Sequence, residues 1–338
     1  MTTETPTACT LPCAVCATTE VLEVARRDRD GRPLRAVLCR QCGLAWLDPR
    51  PTAEQVRHYY EQDYRKDYKG VWQPRPKHVA RGARVALHRC RHLRPHLGFA
   101  ARRVLDLGAG AGEVVFLLRG LGHDAVGLEP NAGYAAFARE NLRLPVRQGF
   151  FQDQPYAGQT FHVVTLFHVL EHLDDPAGVF RQVRGWLEPG GLLWVEVPSV
   201  ESVCQAPAHQ FHRAHLYYFN HATLRELGRR TGFRPVHHEC SPDGANLTVA
   251  FRRENDPARE PYAGPDNARQ VARILLGHHW GRHLLSPHPY LRPFHRLGQR
   301  VWEQWMLARC GEPAAVLQRV LEEGFHRGEV ARVAPAPA

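Results

Sequence analysis

Val104-Leu105-Asp106-Leu107-Gly108-Ala109-Gly110-Ala111-Gly112 reads as an apolar strand that ends in a glycine-rich turn and opens into a helical pattern over 112–120. Glycine at such a turn lets the chain reverse tightly and lets its backbone approach a ligand closely. A dinucleotide-binding turn would carry a further glycine at 113, where Glu113 stands. Asp106, just before the first glycine, suits a cationic ligand group such as an amine or a sulfonium better than a pyrophosphate. Glu129 ends the next apolar run, 23 residues after Asp106, where a carboxylate can accept both hydroxyls of a ribose.

Residues 102–198 go on alternating apolar runs with helical patterns. Strands are expected at 103–107, 125–129, 145–148, 163–167 and 192–197, and helices at 112–120, 131–142 and 176–187. That order implies a parallel sheet with helices on both faces and right-handed crossovers. Two later β-like runs, 235–239 and 247–251, flank Asp243-Gly244, which suits a reversal and adds antiparallel edge strands. Upstream, Thr52 is placed to cap a helix running to about Glu61, with Gln55 in the reciprocal position, and a second helix is expected around 78–95. Residues 254–268 read as a polar linker, 268–327 as helices broken at Ser286-Pro287-His288-Pro289, and the tail 334–338 as disordered.

At 338 residues the chain is long enough for about two domains of roughly 150 residues each. Its hydrophobic fraction of 43% and charged fraction of 23% exclude a wholly disordered or collagen-like chain. No apolar run approaches the roughly 18 residues of a membrane span, and Met1 to Thr10 lacks an apolar signal segment, so a cytoplasmic location is expected. The formal charge is +10, and Lys66, Lys69 and Lys77 are the only lysines, so arginine carries nearly all of it. Arginine pairs bidentately with phosphate and carboxylate, which suits an anionic small-molecule acceptor and leaves RNA open.

Four of the nine cysteines form two close pairs, Cys13–Cys16 and Cys39–Cys42, with 22 residues between them. A C-x2-C turn points two sulfurs at one centre, and two such turns complete a tetrahedron with no open position, so the expected role is a structural metal site. Zinc is the favoured metal, and a single iron takes the same geometry. Short β-like runs at 21–25 and 35–38, separated by a turn at Arg29-Asp30-Gly31, fill the interval. Few large apolar side chains occur in these forty or so residues, so such a segment needs a staple to fold.

The glycine turn, Glu129 and the strand order resemble class I S-adenosylmethionine-dependent methyltransferases. The wider chain resembles a subgroup of that class with an N-terminal zinc-binding domain, similar to sugar C-methyltransferases. The resemblance is carried by Cys39-x-x-Cys42-Gly43-Leu44, Asp48-Pro49-Arg50-Pro51, the Tyr59-Tyr60 pair, His168-Val169-Leu170-Glu171-His172-Leu173-Asp174-Asp175-Pro176 and Leu187-x-Pro189-Gly190-Gly191. It implies an α/β fold: a Rossmann-like seven-stranded methyltransferase sheet, a small N-terminal zinc ribbon and a C-terminal helical extension. The corresponding segments are 9–50 (ribbon), 51–100 (helical connector), 101–253 (cofactor-binding domain) and 254–333 (extension). It further implies that Asp106, Gly108, Ala109, Gly110 and Gly112 cradle S-adenosylmethionine. Glu129 and Pro130 would lie at its ribose, Phe150 and Phe151 at its adenine, and Phe167 and His168 at its methionine part.

Methyl transfer to a hydroxyl needs a base, and histidine is apt because its ordinary pKa lies near 6.5. The run His209-Gln210-Phe211-His212-Arg213-Ala214-His215-Leu216-Tyr217-Tyr218 follows the fifth strand, and its candidate catalytic residues are His215, His212 and Tyr218. In the sugar C-methyltransferases that it resembles, Tyr-x-Glu-His carries the base chemistry; here His212-Arg213-Ala214-His215 stands, which opens O- or N-methylation. Glu171 is expected to support the sheet, and His278, His279 and His283 to lie on an amphipathic helix surface. The leading expectation is a small-molecule methyltransferase acting on a sugar or nucleotide-linked sugar. An RNA methyltransferase and a non-catalytic cofactor-binding scaffold are the competing readings.

Overall fold

The computed structural model describes residues 7–62, 72–153, 155–254 and 261–333. The side chains of Tyr59 and Tyr60, part of the expected linker (255–260) and the tail 334–338 lie outside the described residues. The chain divides into two compact units, Met1–Val56 with Leu166–Arg292, and Arg57–Thr165 with Pro293–Ala338.

The strands of the larger sheet are β5 (Arg103–Leu107), β6 (Asp124–Glu129), β7 (Val146–Gln148), β8 (Phe161–Phe167), β9 (Leu187–Pro198), β11 (Phe233–Cys240) and β12 (Asn246–Arg253). Their order is β11-β12-β9-β8-β5-β6-β7. β5, β6 and β7 are parallel neighbours, while β12 is antiparallel to both β9 and β11. The expected parallel sheet with an antiparallel edge is therefore present.

In the unit that holds β5 to β7, three of the helices pack closely on one another. They are α2 (Pro76–Leu97), α3 (Glu113–Gly120) and α10 (Pro313–His326). Proline at the start of α2 needs no hydrogen-bond partner, and Val79, Ala80, Ala83, Ala86, Cys90, Leu93 and Leu97 form its buried stripe at helical spacing. A Cβ on Gly120 would come within 2.3 Å of Leu321 and one on Gly324 within 2.7 Å of Leu87, so α10 packs closely onto α3 and α2. The Arg81 fork holds the buried Glu303 carboxylate at 2.7 and 3.2 Å. The predicted cap is also present: in α1 (Ala53–Gln62) the Thr52 N–H donates to Gln55 Oε1 and the Gln55 N–H to Thr52 Oγ1.

The other unit holds a second sheet made of β1 (Thr7–Ala8), β2 (Glu20–Arg27), β3 (Pro33–Cys39), β4 (Ala45–Leu47) and β10 (Tyr217–Tyr218), in the order β1-β2-β3-β4-β10. Three of these strands come from the cysteine segment, β1 lies just before it, and the fifth comes from the histidine-rich run. Tyr217 pairs with Trp46 and Tyr218 with Ala45. Two-residue strands carry almost no pattern, which is why the sequence does not announce this join. Helix α7 (Pro265–Gly277) docks on the same segment: Asn267 Nδ2 donates to the Cys42 carbonyl at 2.7 Å. A Cβ on Gly43 would meet Asn267 Nδ2 at 2.7 Å. The expected surface position holds for His279, which is exposed, and is corrected for the other two C-terminal histidines. His278 and His283 are buried, and His278 Nε2 lies 2.9 Å from the Gln205 carbonyl, because the chain after α7 folds back on 203–205 instead of facing solvent.

Candidate functional site

The glycine turn is built as the sequence suggests. Gly108, Gly110 and Gly112 all have left-handed backbone, φ 73°, 59° and 88°. The Gly108 and Ala109 N–H groups donate to the Leu128 carbonyl at 2.8 and 3.0 Å, which folds the turn back over β6. A Cβ on Gly112 would sit 2.7 Å from Leu144, so this glycine serves helix–strand packing as well as the turn. Glu129 is buried at the end of β6: Oε2 accepts the Gly110 N–H at 2.8 Å and Oε1 the Asn131 N–H at 3.1 Å. A carboxylate has about four lone-pair positions, so these two N–H groups do not by themselves exhaust its acceptor capacity.

Asp106 is also buried, accepting from Thr165 Oγ1 at 2.7 Å. Burial outweighs that hydrogen bond and pushes its carboxyl from 3.8 up to about 7. A group whose folded pKa is raised stabilises the fold below its unfolded pKa, and that stability is lost as pH rises through the folded value. Asp106→Asn is therefore expected to leave the melting temperature unchanged near pH 4 and to raise it by several degrees at pH 8, on the order of 2–4 kcal/mol. Thermal melts at both pH values check this, and an equal shift at both would refute it. In the same unit the Arg57 guanidinium lies over the Phe150 ring at 4.4 Å and pairs with Asp153 at 2.7 Å. Phe151 opens the short 3-10 turn that follows, and Pro130 is half-buried after Glu129.

In the other unit, Phe167 is buried at the end of β8 and His168 follows it with left-handed backbone, φ 57°. Non-glycine residues hold that conformation only where their surroundings impose it. His168 lies 3.3 Å from Glu171 and 3.1 Å from Glu196 through its two ring nitrogens. Burial alone would lower its pKa, but the two carboxylates outweigh it and raise it to about 9.

Glu171 and His172 sit in a 3-10 turn, Leu170–His172, and both are buried. This turn is clamped to the 212–216 run. The Leu216 N–H donates to the Glu171 carbonyl at 2.7 Å, and His172 Nδ1 lies 2.7 Å from the Ala214 carbonyl. The clamp brings the His215 ring to 4.8 Å from that of His172 and 5.2 Å from that of His212. Burial, together with the repulsion of His172, His212 and His168, holds His215 well below 6.5, so it is neutral at pH 7. Among the described residues neither of its ring nitrogens makes a hydrogen bond.

His212 and Tyr218 are engaged with their own loop. His212 Nδ1 accepts the Ala214 N–H at 2.9 Å, and burial followed by Arg29 lowers its pKa to about 4. The Tyr218 hydroxyl takes the His212 N–H at 2.7 Å and donates to the His212 carbonyl at 2.9 Å, while burial raises its pKa above the ordinary 10.0. Of the three candidate catalytic residues, His215 is the one with ring nitrogens available. Sequence reasoning placed Glu171 as a sheet support and passed over Glu196 and Thr165. The spacing His168-x-x-Glu171-His172 was the available signal, since three and four residues on a short helical turn share a side.

The four cysteines Cys13, Cys16, Cys39 and Cys42 converge. Their sulfurs lie within 4.8 Å of one another, with Cys13–Cys42 at 3.6 Å and Cys16–Cys39 at 3.4 Å, and none is in a disulfide. Both pairs sit on matching turns: the Ala17 N–H donates to the Cys13 carbonyl and the Gly43 N–H to the Cys39 carbonyl, with left-handed backbone at Ala17 and Gly43. A metal–sulfur distance of about 2.3 Å gives a tetrahedral edge of roughly 3.8 Å, close to these separations.

A family profile described as "Methyltransferase domain" matches residues 75–238. A probable S-adenosylmethionine-dependent methyltransferase of Mycolicibacterium smegmatis is 30% identical over 203 residues, covering 59% of this chain and 71% of that protein. A ubiquinone biosynthesis O-methyltransferase of Azorhizobium caulinodans is 33% identical over 113 residues, covering 32% of this chain; the match spans only 44% of that enzyme's length. The magnesium protoporphyrin IX methyltransferase of Synechocystis, solved with bound S-adenosylhomocysteine, is 14% identical with a TM-score of 0.48, covering 60% of this chain and 100% of that one. With the strand order, the turn, the family profile and the Mycolicibacterium relative together, the chain belongs to the class I S-adenosylmethionine-dependent methyltransferases.

Proposed function

We propose that this chain transfers a methyl group from S-adenosylmethionine to a hydroxyl of a small-molecule acceptor, with a sugar or nucleotide-linked sugar as the leading acceptor class. The reading is supported by the left-handed glycine turn tied to the buried Glu129 carboxylate at the end of β6. O-methylation over C-methylation is favoured because Ala214 stands where the sugar C-methyltransferases carry a glutamate. The relatives named as O-methyltransferases agree with it. The arginine excess suits an anionic acceptor.

S-adenosylmethionine supplies an electrophilic methyl carbon. With the donor bound, neutral His215 would accept the proton of the acceptor hydroxyl as that oxygen takes the methyl group and the carbon–sulfur electron pair returns to sulfur. Asp106 would face the cationic part of the donor, Glu129 would hold its ribose, and Phe150 and Phe151 would flank its adenine. His212 and Tyr218 fix the loop that presents His215. The four cysteines would hold a structural zinc ion.

Two measurements test this. Calorimetry is expected to detect S-adenosylhomocysteine binding to the full chain. His215→Gln is expected to lower kcat about 100-fold while leaving that binding unchanged. Undiminished turnover would remove His215 from the reaction.

A further inference from the structure

We propose that Glu171, His172 and His215 together hold a divalent transition-metal cation, at a site distinct from the four cysteines. The proposal uses the methyl-transfer reading for the cation's role and stands without it for the cation's existence. Three donor atoms, one carboxylate oxygen and two imidazole nitrogens, already lie within 4.8 Å of one another. A tetrahedral edge at metal–nitrogen distances of about 2.0–2.1 Å is roughly 3.4 Å, so modest side-chain rotation closes the set.

The Glu171 side chain is 1% exposed, yet neither of its oxygens accepts a hydrogen bond among the described residues. A carboxylate so far from water is costly unless something positive replaces its hydration. His168 supplies part of this from 3.3 Å, on Oε1 alone. The same Oε1 lies 3.7 Å from His172 Nε2. His172 is oriented with Nδ1 toward the Ala214 carbonyl at 2.7 Å and Nε2 toward Glu171, as an imidazole held by a carbonyl behind a metal is. His215 brings its imidazole from the facing segment, which the Leu216–Glu171 backbone hydrogen bond holds in place.

One carboxylate and two imidazoles leave coordination positions for a ligand and suit zinc, iron(II), manganese or cobalt, whereas magnesium and calcium prefer all-oxygen sets. The chemical consequence deepens the proposed reaction. An acceptor hydroxyl bound to the cation loses its proton to water more readily, so the methyl group meets an alkoxide. In the loaded protein His215 then acts on the hydroxyl through the cation, and in the metal-free protein by direct contact.

Cobalt(II) titrated into the full chain, zinc-loaded at its cysteines, tests the site. One further equivalent is expected to bind, with weak d–d bands and no sulfur-to-cobalt charge transfer. Glu171→Gln and His172→Gln are each expected to weaken that binding at least tenfold while circular dichroism and cysteine-bound zinc stay unchanged. His215→Gln, in a partly exposed position, is the third variant should either of the others fail to fold. No further cobalt, or equal affinity in the folded variants, overturns the site. Cobalt binding in a chain that takes up no S-adenosylhomocysteine sustains the site and sinks the methyl-transfer reading; the reverse pattern sinks the site alone.

Discussion

Cys39→Ser is expected to unfold the N-terminal sheet and to abolish methyl transfer. Serine is a poor zinc ligand, and apparent binding free energies of structural zinc in small modules are about 10–16 kcal/mol, nearly all of it folding free energy. The buried side chains of the five-stranded sheet, Val21, Val37, Leu38, Trp46, Leu47 and Tyr217 among them, are what remains to set against that loss. The damage spreads because the run bearing His215 is fastened to this sheet. β10 pairs with β4, the Leu47 N–H donates to the Leu216 carbonyl, the Arg29 N–H donates to the Phe211 carbonyl, and Arg213 pairs with buried Asp28 at 2.9 Å. Circular dichroism, zinc content and turnover read the outcome together. A zinc-free variant that melts like the parent would refute the structural role of the four cysteines.

Glu129→Ala is expected to weaken S-adenosylhomocysteine binding by about a thousandfold. Two hydrogen bonds from hydroxyls to a buried carboxylate contribute about 1.5–3 kcal/mol each, and every 1.4 kcal/mol is tenfold. Truncation also strands the Gly110 and Asn131 N–H groups that the carboxylate receives at 2.8 and 3.1 Å, so the turn loses its anchor as well as its ribose contact. Calorimetry on the folded variant measures the loss. A change of less than about tenfold would mean that the ribose is held elsewhere.

The glycine turn and the strand order were legible because they depend on local rules: apolar periodicity, glycine where φ is positive, a carboxylate at a strand end. The cap at Thr52 and the cysteine spacing were legible for the same reason. What escaped is what long-range pairing creates. Nothing local in Tyr217-Tyr218 says that it completes a sheet begun about two hundred residues earlier. Glu171 read as a sheet support because the turn that buries it takes its meaning from the 212–216 run, which clamps it from the far side of β9 and α5 (Pro176–Trp186). His278 and His283 read as surface residues for lack of any sign that the chain there folds back.

The sheet that β10 completes also decides how this protein can be cut. A shortened chain beginning after Pro51 would retain β5 through β12 and would look, on paper, like a minimal catalytic core. It would strip the partner from Tyr217 and Tyr218, leave Arg213 without Asp28, and uncover the aromatic wall behind the histidines. The amino-terminal segment is thus not a detachable accessory. Grafting this chain's specificity onto another methyltransferase would require the two ends of that sheet to travel together.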